Sequence, residues 1–282
     1  MSVQESEIVY HLRRAALGQH PGRHRARVAG TGLEAHAVVP IDRVRGRPRF
    51  DIAASLRDPE RRLLARMPRQ LASIDVQLAL DCSASMLAAD ESARRALLGR
   101  FAAVLARSAQ RTGDAFGLIP FAARVLTARV LPPSRSQGIA HAVGQSLQAL
   151  PFTGTSARGV REIAAHVRRG RSIVFLVSDF LMPLEDLRSG IDALADHALV
   201  PVVGWTSEDA ARQIPDGLTR LVDRETGRRR WVWMRPRIRA ALRDRYQAHA
   251  AAVTSMFARA GARPFFLGET LDVDALNAHL AI

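Results

Sequence analysis

The sequence predicts an α/β protein: a doubly wound, mostly parallel sheet with helices on both faces, led by a small irregular or β-rich N-terminal segment. Three observations predict it. Short apolar runs recur from Ile74 to the C-terminus, amphipathic stretches separate them, and the residues before Ile74 differ in texture. The division expected is a lead-in over 1–73 and one larger domain over 74–282, and 282 residues at 48% hydrophobic can bury a core of that size.

The strands are read from runs too short for helices of ordinary length, at 74–80, 116–121, 173–177, 199–205 and 264–267. Between the first two, Ala93, Ala96, Leu97, Phe101, Val104 and Leu105 recur at three- and four-residue spacing, so one stripe of a helix can lie on the sheet. Near the C-terminus Ile238, Leu242, Val253, Met256 and Phe257 give a second such stripe, read as core. From Leu221, L-V-D-R-E-T-G-R-R-R-W-V-W reads as a hairpin turning at E-T-G, with Trp231 and Trp233 covering one face of a ribbon and Arg228 to Arg230 in water. The lead-in is rich in Gly, Arg and His around G-Q-H-P-G-R-H-R from Gly18 and is expected to form loops and short strands.

Composition narrows the function. No apolar run approaches the roughly 20 residues of a bilayer-spanning helix, and the N-terminus lacks a basic-then-apolar leader, so a cytoplasmic location without a membrane span is expected. The single cysteine, Cys82, excludes an internal disulfide and any multi-cysteine zinc site. A net charge of +14 raises nucleic acid or anionic lipid as a partner. Yet every basic residue is Arg, none is Lys, and Asn277 is the sole asparagine, a pattern of genome-wide base bias as much as of phosphate binding.

Ligands of open parallel sheets sit beyond the carboxyl ends of the strands. Asp81 directly follows the first run, in L-A-L-D-C-S-A-S-M, and Asp179 follows another, in I-V-F-L-V-S-D-F. Ser83 and Ser85 alternate with Asp81, so one looped segment can turn three oxygens toward a point. Thr155, in P-F-T-G-T-S-A-R-G-V, stands where a new helix should begin and can bring a hydroxyl from a third loop. Hydroxyls and carboxylates without imidazole or thiolate suit a hard cation, magnesium before manganese or calcium, and disfavour zinc. Each piece also has a plainer reading as a helix cap or turn. The order and strand-end placement of all five favour the cation.

These residues resemble the metal-ion-dependent adhesion site of von Willebrand factor A domains over about residues 74–282, and G-D-A-F-G-L-I-P-F from Gly113 is similar to that family's second strand. The resemblance implies that Ser83, Ser85 and Thr155 contact the metal, that Asp81 and Asp179 do so directly or through water, and that a partner's Asp or Glu completes the shell. The chain has Ala84 where family members often carry Gly. The lead-in, G-T-G-L-E-A-H-A-V-V-P-I-D-R-V-R from Gly30 and R-F-D-I-A-A-S-L-R-D-P from Arg49, is similar to bacterial von Willebrand A-like proteins encoded beside MoxR-type AAA+ ATPases, with the MxaS-like members of methanol oxidation clusters most similar. The G-D-D-x-R and I-D-W pattern usual there is eroded to D-I-A-A-S from Asp51. The implied role is a non-enzymatic adaptor that helps an ATPase remodel a client enzyme or load its metal or cofactor, methanol dehydrogenase being one such client.

Two other function classes stay open. An Arg-driven nucleic-acid binder would show affinity that collapses with salt. A metal-assisted hydrolase would need a general base beside the metal, and the sequence nominates none. A haloacid-dehalogenase phosphatase wants a second Asp where Ser83 stands, no G-x-S-x-G surrounds Ser83 or Ser178, and no nucleotide-binding glycine loop follows a strand. The nine histidines show no regular metal spacing; His20, His24 and His36 fall in the lead-in, and His141, His166 and His197 on expected helices.

Overall fold

A computed structural model describes residues 7–10, 21–29, 35–43, 49–87, 91–168, 172–204, 216–222 and 228–281. The chain divides into two units, one of Met1–Tyr10 with Asp75–Ile282 and one of His11–Ile74. In the smaller unit, β1 (Pro21–Ala29), β2 (Ala35–Pro40), β3 (Arg49–Phe50) and β4 (Leu64–Ala72) form an antiparallel sheet on which β4 is central. The helix α1 (Ile52–Arg57) is capped by Asp51, whose carboxylate accepts the Ala54 N–H at 3.0 Å. The expected short strands are thus longer than expected, two of them spanning nine residues.

The larger unit is built on a six-stranded sheet. Its parallel strands are β5 (Asp75–Asp81), β6 (Ala115–Phe121), β8 (Ser172–Ser178), β9 (Ala198–Val203) and β12 (Phe265–Phe266), with β7 (Leu131–Ser134) antiparallel at one edge. The spatial order is β12-β9-β8-β5-β6-β7, so β5 and β8 are central neighbours and the order reverses beside them. That mixed α/β, mostly parallel architecture with flanking helices is of the Rossmann or von Willebrand A type. β6 and β8 are buried along their whole length because helices cover both faces. One face carries α2 (Glu91–Thr112), whose Phe101 meets Phe175 edge-on at 6.2 Å, and α3 (Ile139–Ala149), which packs on α2. The other holds Ala79, Ile119, Phe121, Val174 and Leu176 under a 3₁₀ segment (Arg158–His166), α4 (Leu184–Ala193) and α5 (Pro236–Arg259). The last helix is α6 (Val273–Ala281).

Several expectations are corrected. In α2, Leu98 and Ala102 are buried while Ala93 and Ala96 face solvent, so the stripe is rotated toward the sheet. In α5 only the C-terminal half is core, through Val253 and Phe257; Ile238 and Leu242, in its first two turns, are exposed. His197 lies in the turn before β9, not on a helix, and its Nδ1 accepts the Ser172 N–H at 3.4 Å. The hairpin is present as β10 (Gly217–Val222) and β11 (Arg229–Met234), and its E-T-G turn lies outside the described residues, as does the end of the 199–205 run.

A short N-terminal stretch is fastened to this unit. The Ile8 N–H donates to Ser108 Oγ at 2.8 Å, and the Tyr10 hydroxyl donates to Asp114 Oδ2 at 2.8 Å. Burial, with the Asp114 charge second, pushes the Tyr10 phenol far above its ordinary range, which fixes it as a neutral donor. Tyr10→Phe is expected to lower the unfolding free energy by about 1 to 2 kcal/mol, since Asp114 loses a buried donor. Urea denaturation of the two proteins checks this, with the midpoint moving and the slope unchanged.

Candidate metal centre

β5 ends at Asp81, which is fully buried at the carboxyl edge of the sheet. The chain then continues the ladder for one residue, the Cys82 N–H donating to Phe121 O at 2.7 Å, and tightens into a 3₁₀ turn over Ala84–Leu87. That turn sets the Ser83 and Ser85 hydroxyls 3.1 Å apart. Asp81 Oδ1 accepts the Ser83 N–H at 2.8 Å, so the carboxylate itself holds the loop.

The third loop meets the first through its backbone. Ser83 and Gly154 form an isolated parallel bridge, with the Ala84 N–H donating to Gly154 O at 2.9 Å and the Gly154 N–H to Cys82 O at 3.2 Å. A Cβ on Gly154 would stand 2.4 Å from the Ala122 Cβ, so the approach requires glycine. Thr155 therefore leaves the bridge beside Ser83. Its side chain is exposed, unlike the other four, and the helix expected after it is the 3₁₀ segment beginning three residues on.

Asp179 follows β8 on the same rim. Its Oδ1 accepts the Leu181 N–H at 2.9 Å, and Phe180 between them adopts a left-handed backbone with φ of 53°. That conformation is uncommon for a bulky residue. Here it is held from three sides: the Phe180 N–H donates to Ser178 Oγ at 3.0 Å, its carbonyl lies 2.7 Å from His249 Nε2 on α5, and its ring packs edge-on against Phe257 at 5.1 Å. Ser178 also donates to Asp81 Oδ2 at 2.6 Å, tying the two acidic loops together.

Electrostatically this is a buried pair of carboxyls. Burial, then the charge of Asp179, pushes Asp81 up to about 7, against the pull of the Ser178 and Ser83 hydrogen bonds. Burial likewise raises Asp179, with the Ser85 hydroxyl and the Leu181 N–H holding it down. Asp179 Oδ2 itself is buried, with no donor in hydrogen-bonding geometry to it. An acceptor left alone beside a second acid is the environment a hard cation relieves. Asp81, Ser83, Ser85 and Asp179 are thus brought together, with Thr155 on the adjoining loop. Among the described residues no cluster of three His, Cys, Asp or Glu offers a softer site. Sequence reasoning weighed Ser178 only as a hydrolase nucleophile and gave His249 no role; the S-D pair at a strand end hints at the first, and no local signal marks the second.

Fold and site define a Rossmann or von Willebrand A-like α/β domain with buried carboxyls and hydroxyls gathered at one strand-end rim. The chain belongs to the DUF58 family, described as a protein family of unknown function, whose model matches residues 52–254. No curated protein matches it. Among solved structures it is similar to an aerotolerance-related membrane protein from Bacteroides fragilis NCTC 9343, at 14% identity and TM-score 0.43 over 74% of this chain and 99% of that one. It is also similar to the pilus adhesin SpaC from Lactobacillus rhamnosus GG in its open conformation, at 12% identity and TM-score 0.44 over 74% of this chain and 29% of the adhesin. Likenesses at this level carry no argument about function.

Proposed function

We propose that the protein is a non-enzymatic, divalent-metal-dependent adaptor that binds a partner protein through the Asp81, Ser83, Ser85, Thr155 and Asp179 site. The observation that carries this reading is the buried, unpartnered Asp179 Oδ2 beside an Asp81 already raised by the same charge. Magnesium fits the donor set best, since every candidate ligand is an oxygen. A bound dication supplies compensating charge and an open coordination position for a partner's Asp or Glu. This chain's residues supply the rest: Ser178 and the Ser83 N–H orient Asp81, Leu181 orients Asp179, and the Gly154 bridge brings the Thr155 loop alongside.

DUF58 membership and the lead-in sequence support a MoxR-type AAA+ ATPase as the partner, with assembly or metal or cofactor loading of a client enzyme as the task. The MxaS-like character of the lead-in makes methanol dehydrogenase the first client to test. Magnesium is expected to raise the melting temperature by linkage, worth roughly 2.7 kcal/mol at a hundredfold excess over the dissociation constant. Asp81→Ala removes the shift. Pull-down of the ATPase should likewise fail in chelator. A melting curve indifferent to millimolar magnesium and manganese would refute the metal-dependent reading.

A further inference from the structure

The β10–β11 ribbon stands apart from the six-stranded sheet and presents two unlike faces. Met234 is buried and Thr219 and Val232 are half-buried, so one face lies against the body. The outer face carries Trp231 and Trp233, exposed by 65% and 60%, with Leu218 opposite Trp233 and exposed by 60%. Arg220 lies opposite Trp231, and Arg229 extends the same row; both are exposed and take no ion pair among the described residues. No acidic residue occurs in either strand. The expected ribbon therefore forms, but its tryptophan face is open to solvent.

We propose that this face is a docking surface for an anionic lipid membrane: Leu218, Trp231 and Trp233 enter the headgroup boundary while Arg220 and Arg229 meet lipid phosphates. The pairing of indoles with arginines is the chemistry of that boundary, where an amphipathic ring sits half in hydrocarbon and a cation meets a negative surface. The net charge of +14 acts in the same sense at longer range. Area argues against a protein occupant: three such side chains expose on the order of 400 Å², about half of the roughly 800 Å² per partner a stable protein interface takes. A single nucleic-acid strand wants a groove that tracks its backbone, and the ribbon presents a flat row two strands wide. This surface is independent of the candidate metal site and goes beyond the adaptor reading.

The test is co-sedimentation of the full chain with phosphatidylcholine vesicles, with and without about one third phosphatidylglycerol, read together with tryptophan emission. Binding is expected only to the anionic vesicles, with a blue shift, and is expected to weaken as salt is raised. The double variant Trp231→Ala/Trp233→Ala, checked for an unchanged melting curve, should lose affinity on the order of tenfold or more; Trp205 remains as the background emitter. Arg220→Ser/Arg229→Ser should lose affinity with the indoles intact. Absence of anionic co-sedimentation, or binding undiminished in the tryptophan variant, overturns the proposal. So does an oligothymidine that displaces the vesicles and quenches the indoles, or a dimer that forms through them in place of vesicle binding.

Discussion

Asp179→Asn is expected to make the metal-free protein more stable at neutral pH, not less. The asparagine keeps an oxygen for the Leu181 N–H and replaces the unpartnered Oδ2 with a neutral amide beside Asp81. Both acids are raised in the folded chain, so between about pH 4, where a carboxyl of the unfolded chain titrates, and about 7 the native state binds more protons. Stability then falls as pH rises through that window and the loss is complete above it. Removing one acid should recover roughly 1 to 3 kcal/mol, or about 2 to 4 °C in Tm for each kcal/mol. Melts in chelator across the window check it: the wild type declines with pH, the variant declines less and melts higher at neutral pH. With magnesium the order inverts, because only the wild type gains. A variant that melts lower at every pH with an unchanged slope would refute the account of the acidic pair.

The second large effect belongs to Gly154→Ala. One methyl at 2.4 Å from the Ala122 Cβ has no flexible neighbour to displace, and Cys82 O at 3.2 Å closes the other side. Overpacking of this kind costs about 1 to 3 kcal/mol. Here it should also part the Ser83–Gly154 bridge and shift the Thr155 loop, so the magnesium-dependent rise in Tm falls with the stability. Adding Ala122→Gly opens the space and should restore both. If the double variant recovers neither, the close approach of the two loops is not what the glycine provides.

The strand ends were legible because period and length mark a strand locally. Asp81 and Asp179 each follow such a run directly, and Ser83 and Ser85 follow from adjacency. What escaped depends on distant residues. Phe180 is left-handed because Ser178, His249 and Phe257 hold it from two other elements, and nothing within S-D-F signals that. The half-exposed course of α5 escaped because a periodic stripe shows which face is apolar, not which turns of the helix are covered. β7 escaped for the opposite reason: L-P-P-S looks like a break in structure, and it is tolerated as a strand at an edge, where one missing N–H faces outward and the pairing to β6 is irregular on the other side.

That edge has a wider consequence. Successive N–H groups of a strand point to opposite sides, so one of Pro132 and Pro133 removes a donor from the outer rim of β7, while the opposite rim is β12, two residues long. At the β7 flank a stranger's extended chain meets a short edge with a donor missing. Growth of the sheet by backbone pairing is therefore disfavoured on the β7 side, and crowding has less there to drive toward fibres.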